Sequence, residues 1–191
     1  MSEQTVAVYL GYLWDAFALT WLVSALAVKR TTRAEPHWVA LGRSLVLGAL
    51  LYCLYAVPPP WHWLHLRIVP DAPWAHWAGL MIAVFAMLFS AWARLALGTN
   101  WSSRATIKEG HELIVRGPYR LVRNPIYTGI FFALVGSAVA LGQVRHFLGL
   151  PLVLLVWWWK IANEQRILRE QFGDEYVRYC REVKAFIPYV I

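Results

Sequence analysis

Residues 116–141 read RGPYRLVRNPIYTGIFFALVGSAVAL, and the parsing of this stretch decides the fold. Three arginines, Arg116, Arg120 and Arg123, stand just ahead of Asn124-Pro125. Gly117-Pro118 is a turn signal. Asn124 followed by Pro125 reads as a helix N-cap with proline at the first helical position, where a missing N–H is tolerated. From Ile126 to Leu141 no charged residue appears. A helix therefore begins here with an apolar wall, and the rest of the chain tells whether that wall meets protein or lipid.

Lipid is the answer that composition gives. Hydrophobic residues make up 59% of the 191 and charged residues 15%, whereas soluble domains carry roughly 25% charged residues. The runs Val6–Val28, Trp38–Val57 and Trp74–Leu97 each reach the about 20 residues that a membrane-crossing helix needs. Two shorter runs, Ile126–Leu141 and Phe147–Ile161, are separated by GQVRH and predict a tight helical hairpin. The expected fold is an all-α integral membrane protein of about five transmembrane helices, the last two a hairpin, with a small cytoplasmic cofactor-binding region and amphipathic C-terminal helices. MSEQT at the start holds no Lys or Arg to serve as the basic region of a cleavable signal, so the first run is expected to remain.

Short cytoplasmic loops are enriched in Lys and Arg, and the loops here alternate. Lys29, Arg30 and Arg33 follow the first run, only Arg67 lies between the second and third, and Arg104, Lys108, Arg116, Arg120 and Arg123 precede the fourth. The tail from Lys160 adds six more basic residues. This predicts the N-terminus outside and the C-terminus in the cytoplasm of a bacterial inner membrane, and it accounts for much of the +7 net charge without a nucleic-acid partner. Trp61, Trp63, Trp74, Trp77 and Trp157 to Trp159 read as an aromatic belt at the interfaces. Asp15 and Arg43, inside the first two runs, are candidates for a mutual pair, and Arg94 lies near enough to a membrane face to snorkel. His62 and His65 have no obvious third ligand beside them, so no metal site is expected.

Two basic pieces on the same side, Gly98 to Asn124 and the tail from Lys160, are where function is expected. The amides of the helix that starts at Pro125 lack intrahelical partners and carry the positive end of its dipole, which suits a carboxylate or phosphate. Gly129, Ala133, Gly136 and Ala140 share one face of that helix, which predicts close approach of a neighbouring helix. In the tail, Lys160 and Glu164 lie one turn apart, as a helical ion pair would. Gly173 reads as a stop, and Asp174 as the cap of a second amphipathic piece.

In order, LGTNWS, HELIVRGPYRLVRNPIYTG and NEQRILREQFGDEYVRYCREVKAFIP resemble the isoprenylcysteine carboxyl methyltransferases and their bacterial relatives, integral membrane enzymes that use S-adenosylmethionine. The resemblance runs from about Leu97 to Pro188. It implies that His111, Glu112, Leu113, Ile114, Tyr119, Asn124, Pro125, Ile126, Tyr127 and Glu164 hold the cofactor, and that Lys160 contacts the methyl acceptor. Arg123, beside the cap, adds charge for the cofactor's carboxylate. The chain departs from the family's common pattern at Asn124, where histidine is usual, at Gln165, where a second glutamate is usual, and at Lys160, where arginine is typical. A lysine is a point charge and not a bidentate fork. Residues 1–97 are expected to form a three-helix membrane region and 98–191 the methyltransferase core.

The chemistry of the residues suits this resemblance. No strand followed by G-x-G-x-x-G is present, so a nucleotide-like cofactor would be held by helix ends and loops. Glu164 suits ribose hydroxyls, Tyr119 or Tyr127 an adenine. The expected partners are membrane lipids and a lipophilic or lipid-like acceptor; an acceptor that is already an anion, such as an isoprenylcysteine-like carboxylate, needs no general base. Two alternatives use the same arginines: an NADPH-dependent membrane reductase of sterol-reductase type, binding the 2′-phosphate, and a non-catalytic membrane subunit.

Overall fold

The computed structural model of the chain describes residues 2–25, 31–34, 37–55, 61–100, 106–108 and 113–187. The α-helices among them are α1 (Glu3–Ala25), α2 (His37–Tyr55), α3 (Pro73–Leu97), α4 (Pro125–Leu141) and α5 (Val144–Glu182). Glu3–Ser24, Pro73–Leu97 and Val144–Glu182 are long and apolar enough to cross a membrane, and α4 is a shorter apolar helix. Large apolar side chains point outward along them, including Leu22, Phe85, Leu95 and Leu155. The protein is an all-α integral membrane protein, with one addition that the sequence did not announce: strands β1 (Thr31–Ala34) and β2 (Thr106–Lys108) form a small antiparallel ladder.

The bundle is built on α3 against α4, and small residues are the reason. A Cβ placed on Gly136 would stand 2.5 Å from the Ala83 backbone nitrogen and 2.6 Å from the Gly79 carbonyl, and one on Gly129 would stand 2.6 Å from the Ser90 side chain. Ala133 and Ala140 on the same face are fully buried. The expected small-residue face of α4 is thus the seam with α3, where backbones approach to within direct contact. The other side of α4 meets α5 through Leu134, Val153 and Trp157, with Leu47 and Leu51 of α2 packed against them.

Polar contacts sort the loops onto two sides. At one end, Glu3 accepts from Arg67 at 2.6 Å and from Gln143 at 2.9 Å, so the N-terminus, the α2–α3 connection and the α4–α5 turn meet there. At the other end, the β1–β2 ladder joins the α1–α2 connection to the α3–α4 connection, in agreement with the Lys/Arg alternation. Arg94 is a clasp at this end: its guanidinium donates to Ser24 O at 2.5 Å, to Ser24 Oγ at 3.1 Å and to Gly98 O at 2.8 Å, filling orphan carbonyls at the α1 and α3 ends. The side chains of Arg43 and Cys53 lie outside the described residues, so the Asp15–Arg43 pair does too.

The expected hairpin forms, since α4 and α5 are joined at Gly142-Gln143. The fifth helix differs from expectation in length. It does not stop near Ile161 but continues to Glu182, interrupted at Gly173, where φ 51 and ψ −125 leave the helical region. Only glycine adopts such a conformation without strain. The residues beyond are thereby redirected, so that Tyr176 and Tyr179 are buried.

Candidate active site

The end of the bundle that holds the arginines also holds the middle of α5. Tyr127, in the first turn of α4, donates its hydroxyl to Glu164 at 2.9 Å to Oε1 and 3.1 Å to Oε2. Lys160 Nζ stands 3.7 Å from Glu164 Oε1 and 5.0 Å from the centre of the Tyr127 ring. Trp157 also packs against that ring, with centroids 5.1 Å apart and the planes tilted by 56°. Helical spacing explains the grouping: residues 157, 160 and 164 lie on one face of α5, and that face is turned to α4. The expected i,i+4 ion pair of Lys160 with Glu164 forms, and Tyr127 joins it from the facing helix.

A second layer wraps the start of α4. Arg123 donates through Nη1 to Cys180 Sγ at 2.9 Å, and its Nε is buried with no hydrogen-bond partner among the described residues. Tyr179 donates its hydroxyl to the Tyr119 carbonyl at 2.7 Å. Burial raises the Tyr119 hydroxyl above its ordinary pKa, and Tyr179 and the Glu164 carboxylate push the same way. Tyr119 is therefore a neutral phenol within electrostatic reach of Glu164. Arg116 and Arg120 are exposed at the surface. Leu113 and Ile114 run without regular structure, half-buried, towards this end. His111 and Glu112 lie outside the described residues.

Two expectations need correction. Asn124 does stand before the first turn of α4, with Pro125 at the first position, but its side chain makes no capping bond. It donates instead to the Ala185 carbonyl at 2.8 Å. The tail competes for the carboxamide and wins, which leaves the α4 N-terminus without a side-chain cap. Trp157 is not part of an interfacial belt: it is 8% exposed, whereas its neighbours Trp158 and Trp159 are 78% and 54% exposed. A tryptophan cluster at a helix's membrane exit has one inward member by helical geometry, and the pattern of the three tryptophans alone does not tell which. Tyr179, Cys180 and the carbonyls of Lys184 to Phe186 also belong to this region. Backbone acceptors leave no side-chain pattern by which a sequence would reveal them.

Among the described residues, no side chain caps the first turn of α4, the Glu164 carboxylate is oriented by the Tyr127 hydroxyl, and the buried Nε of Arg123 has no hydrogen-bond partner. A family model described as phospholipid methyltransferase matches residues 74–175, just over half of the chain. The chain belongs to the phospholipid methyltransferase family. Its match begins at α3 and ends just past the α5 bend, so it takes in the α3–α4 seam and the whole Tyr127–Glu164 cluster. Relatives within reach of this family include a probable protein-S-isoprenylcysteine O-methyltransferase of Oryza sativa subsp. indica, 30% identical over 60% of this chain and 61% of that protein. The protein-S-isoprenylcysteine O-methyltransferase of Rattus norvegicus is 27% identical over 93% of this chain and 66% of its own length. The chain thus spans about three fifths of the length of the curated relatives it matches. A solved eukaryotic intramembrane Ras methyltransferase, isoprenylcysteine carboxyl methyltransferase, shares the fold with a TM-score of 0.52 at 22% identity, over 82% of this chain and 55% of that one. The resemblance read from the motifs agrees with these relatives.

Proposed function

We propose that the protein is a membrane methyltransferase that moves the methyl group of S-adenosylmethionine to a lipophilic acceptor, of which an isoprenylcysteine-like carboxylate is the favoured kind. The observation that carries this is the Tyr127–Lys160–Glu164 cluster facing an uncapped α4 N-terminus. When bound, the cofactor supplies an activated methyl carbon on a sulfonium, open to direct displacement. Its carboxylate suits the first-turn amides of Ile126 and Tyr127 and the Arg123 guanidinium. Its ribose hydroxyls suit Glu164, whose oxygens are held in place by the Tyr127 hydroxyl. Tyr119, His111, Glu112, Leu113 and Ile114 would border the base, and Lys160 would meet the acceptor where α5 leaves the membrane. Such a displacement depends mainly on alignment and exclusion of water, which a helix-lined site supplies. Residues 98–191 would supply these groups and the membrane helices of residues 1–97 the scaffold, with α3 as the bed for α4.

We place this site on the cytoplasmic face of a bacterial inner membrane; the Lys/Arg-rich connections on its side support that orientation. Titration of the detergent-solubilised protein with S-adenosylhomocysteine and, separately, with NADPH tests the assignment. Saturable binding of the first and not of the second is expected. Binding of NADPH alone would overturn the methyltransferase and install the reductase.

A further inference from the structure

The residues after α5 return to the start of α4 and lie along it as a strap. Arg123 N–H donates to Lys184 O at 2.8 Å and Asn124 N–H to Ala185 O at 3.1 Å. The Asn124 carboxamide donates to the same Ala185 oxygen at 2.8 Å. Thr128, 5% exposed, donates its hydroxyl to Phe186 O at 2.9 Å and reaches Asn124 O at 3.1 Å. The Phe186 ring closes on Phe131 with centroids 5.5 Å apart. Three successive tail carbonyls thus take donors from the two residues that lead into α4 and from Thr128 in its first turns.

The consequence concerns Asn124. At this position an asparagine ordinarily turns its side-chain oxygen onto the amide of the second or third helical residue. Here those amides belong to Ile126 and Tyr127, since Pro125 is the first helical residue. Asn124 makes no such bond; its carboxamide is held by the strap. We propose that Lys184–Phe186 is a positioning strap, which keeps Asn124 from capping α4 and so keeps the first turn open to the anionic end of the cofactor. Thr128 is the side chain that locks it. Without the strap, Asn124 turns over, caps the helix and competes with the cofactor's carboxylate. This rests on the methyltransferase assignment above.

The test uses S-adenosylhomocysteine affinity and thermal melting of the full chain, a chain ending at Val183, Thr128→Val and Thr128→Ser. The full chain binds. Ending at Val183 weakens binding by about tenfold while melting stays near that of the full chain, the scale at which a cap acts. Thr128→Val weakens it by several-fold, and Thr128→Ser, which keeps the hydroxyl, restores it. Adding Asn124→Ala to the shortened chain raises affinity again, because no side chain is then left to cap the first turn; a merely structural strap gives no such recovery. Full-length affinity in the shortened chain, or a further loss on adding Asn124→Ala, overturns the strap alone. If the shortened chain does not fold, full affinity in Thr128→Val overturns it equally. Failure of the full chain to bind at all refutes the methyltransferase assignment, and the strap's role falls with it.

Discussion

Replacing Tyr127 by phenylalanine removes one oxygen from the cluster and leaves its ring. The ring's contacts with Trp157, at 5.1 Å, and with Lys160, at 5.0 Å, need no hydroxyl, so the helix pair should hold together. What is lost is a donor to both oxygens of Glu164, at 2.9 and 3.1 Å. Hydrogen bonds to charged groups contribute about 1.5–3 kcal/mol. Glu164 is 22% exposed and its side chain is already paired with Lys160, so partial solvent screening selects the lower end, about 1.5 kcal/mol. If the bond orients Glu164 for the cofactor's ribose, that becomes about a tenfold rise in the dissociation constant of S-adenosylhomocysteine. The titration can be followed by calorimetry, and melting of the ligand-free protein should change little. An unchanged dissociation constant in Tyr127→Phe, with Glu164→Gln clearly weakened, would refute the orienting role of Tyr127 while leaving Glu164 in the site. No effect from either would remove the cluster from cofactor binding.

Arg123→Gln should weaken S-adenosylhomocysteine by about 1.5–3 kcal/mol and Arg116→Gln by little, since only Arg123 is drawn in among the helices; equal small losses at matched salt would reduce both to topology signals. Lys160→Ala should leave S-adenosylhomocysteine binding in place and abolish turnover of an anionic acceptor, and collapse of cofactor binding would move Lys160 out of the acceptor role. Gly136→Ala should lower stability by about 1–3 kcal/mol, the cost of overpacking, because its Cβ would meet Ala83 N at 2.5 Å; an unchanged melting curve would mean that α3 and α4 slide apart freely. A reporter fused after Ile191 should be active only in the cytoplasm, and activity confined to the periplasm would invert the assigned orientation.

What was legible in the sequence followed from local rules. Apolar run length placed all five helices, and small residues at helical spacing marked the α3–α4 seam before any partner was known. Gly173 announced a break because a positive φ has few other solutions. Loop charge separated the two ends of the bundle correctly, with the β1–β2 ladder joining the two connections that loop charge placed on one side. The length of α5 was less legible: the helix runs on past its apolar stretch as far as Gly173 without losing its periodicity, so loss of apolarity at Ile161 looked like an end and was only a change of solvent.

Contacts that are settled by competition could not be read this way. At Asn124 the local rule favours a side-chain cap, and the alternative, the Ala185 carbonyl, lies 61 positions away. Nothing within a helical turn of Asn124 indicates that the distant acceptor wins. Trp157 is a similar case: three adjacent tryptophans all satisfy the interfacial pattern, and only the packing of α5 on α4 turns one inward. Both errors fall at the start of α4, where residues distant in sequence decide local conformation.

The distribution of charge between the two ends argues for the same location. At the Arg67 end, the carboxylates find partners within the chain: Glu3 with Arg67 at 2.6 Å, and Asp71 with the His76 ring at 2.8 Å, His76 also reaching Ala140 O at 2.8 Å. Those groups tie α1, α3, α4 and their connections together and leave little charge to attract a ligand. At the α4 N-terminus the balance differs. No carboxylate pairs with Arg116, Arg120 or Arg123 among the described residues, Arg123 turns its guanidinium to a thiol, a weak acceptor, at Cys180, and the Glu164 carboxylate already faces Lys160. The helix dipole adds to the positive surplus. Such a surplus in a partly buried setting is unfavourable unless an anion completes it. A cofactor that brings its own carboxylate, and an acceptor that brings another, would supply the missing charge.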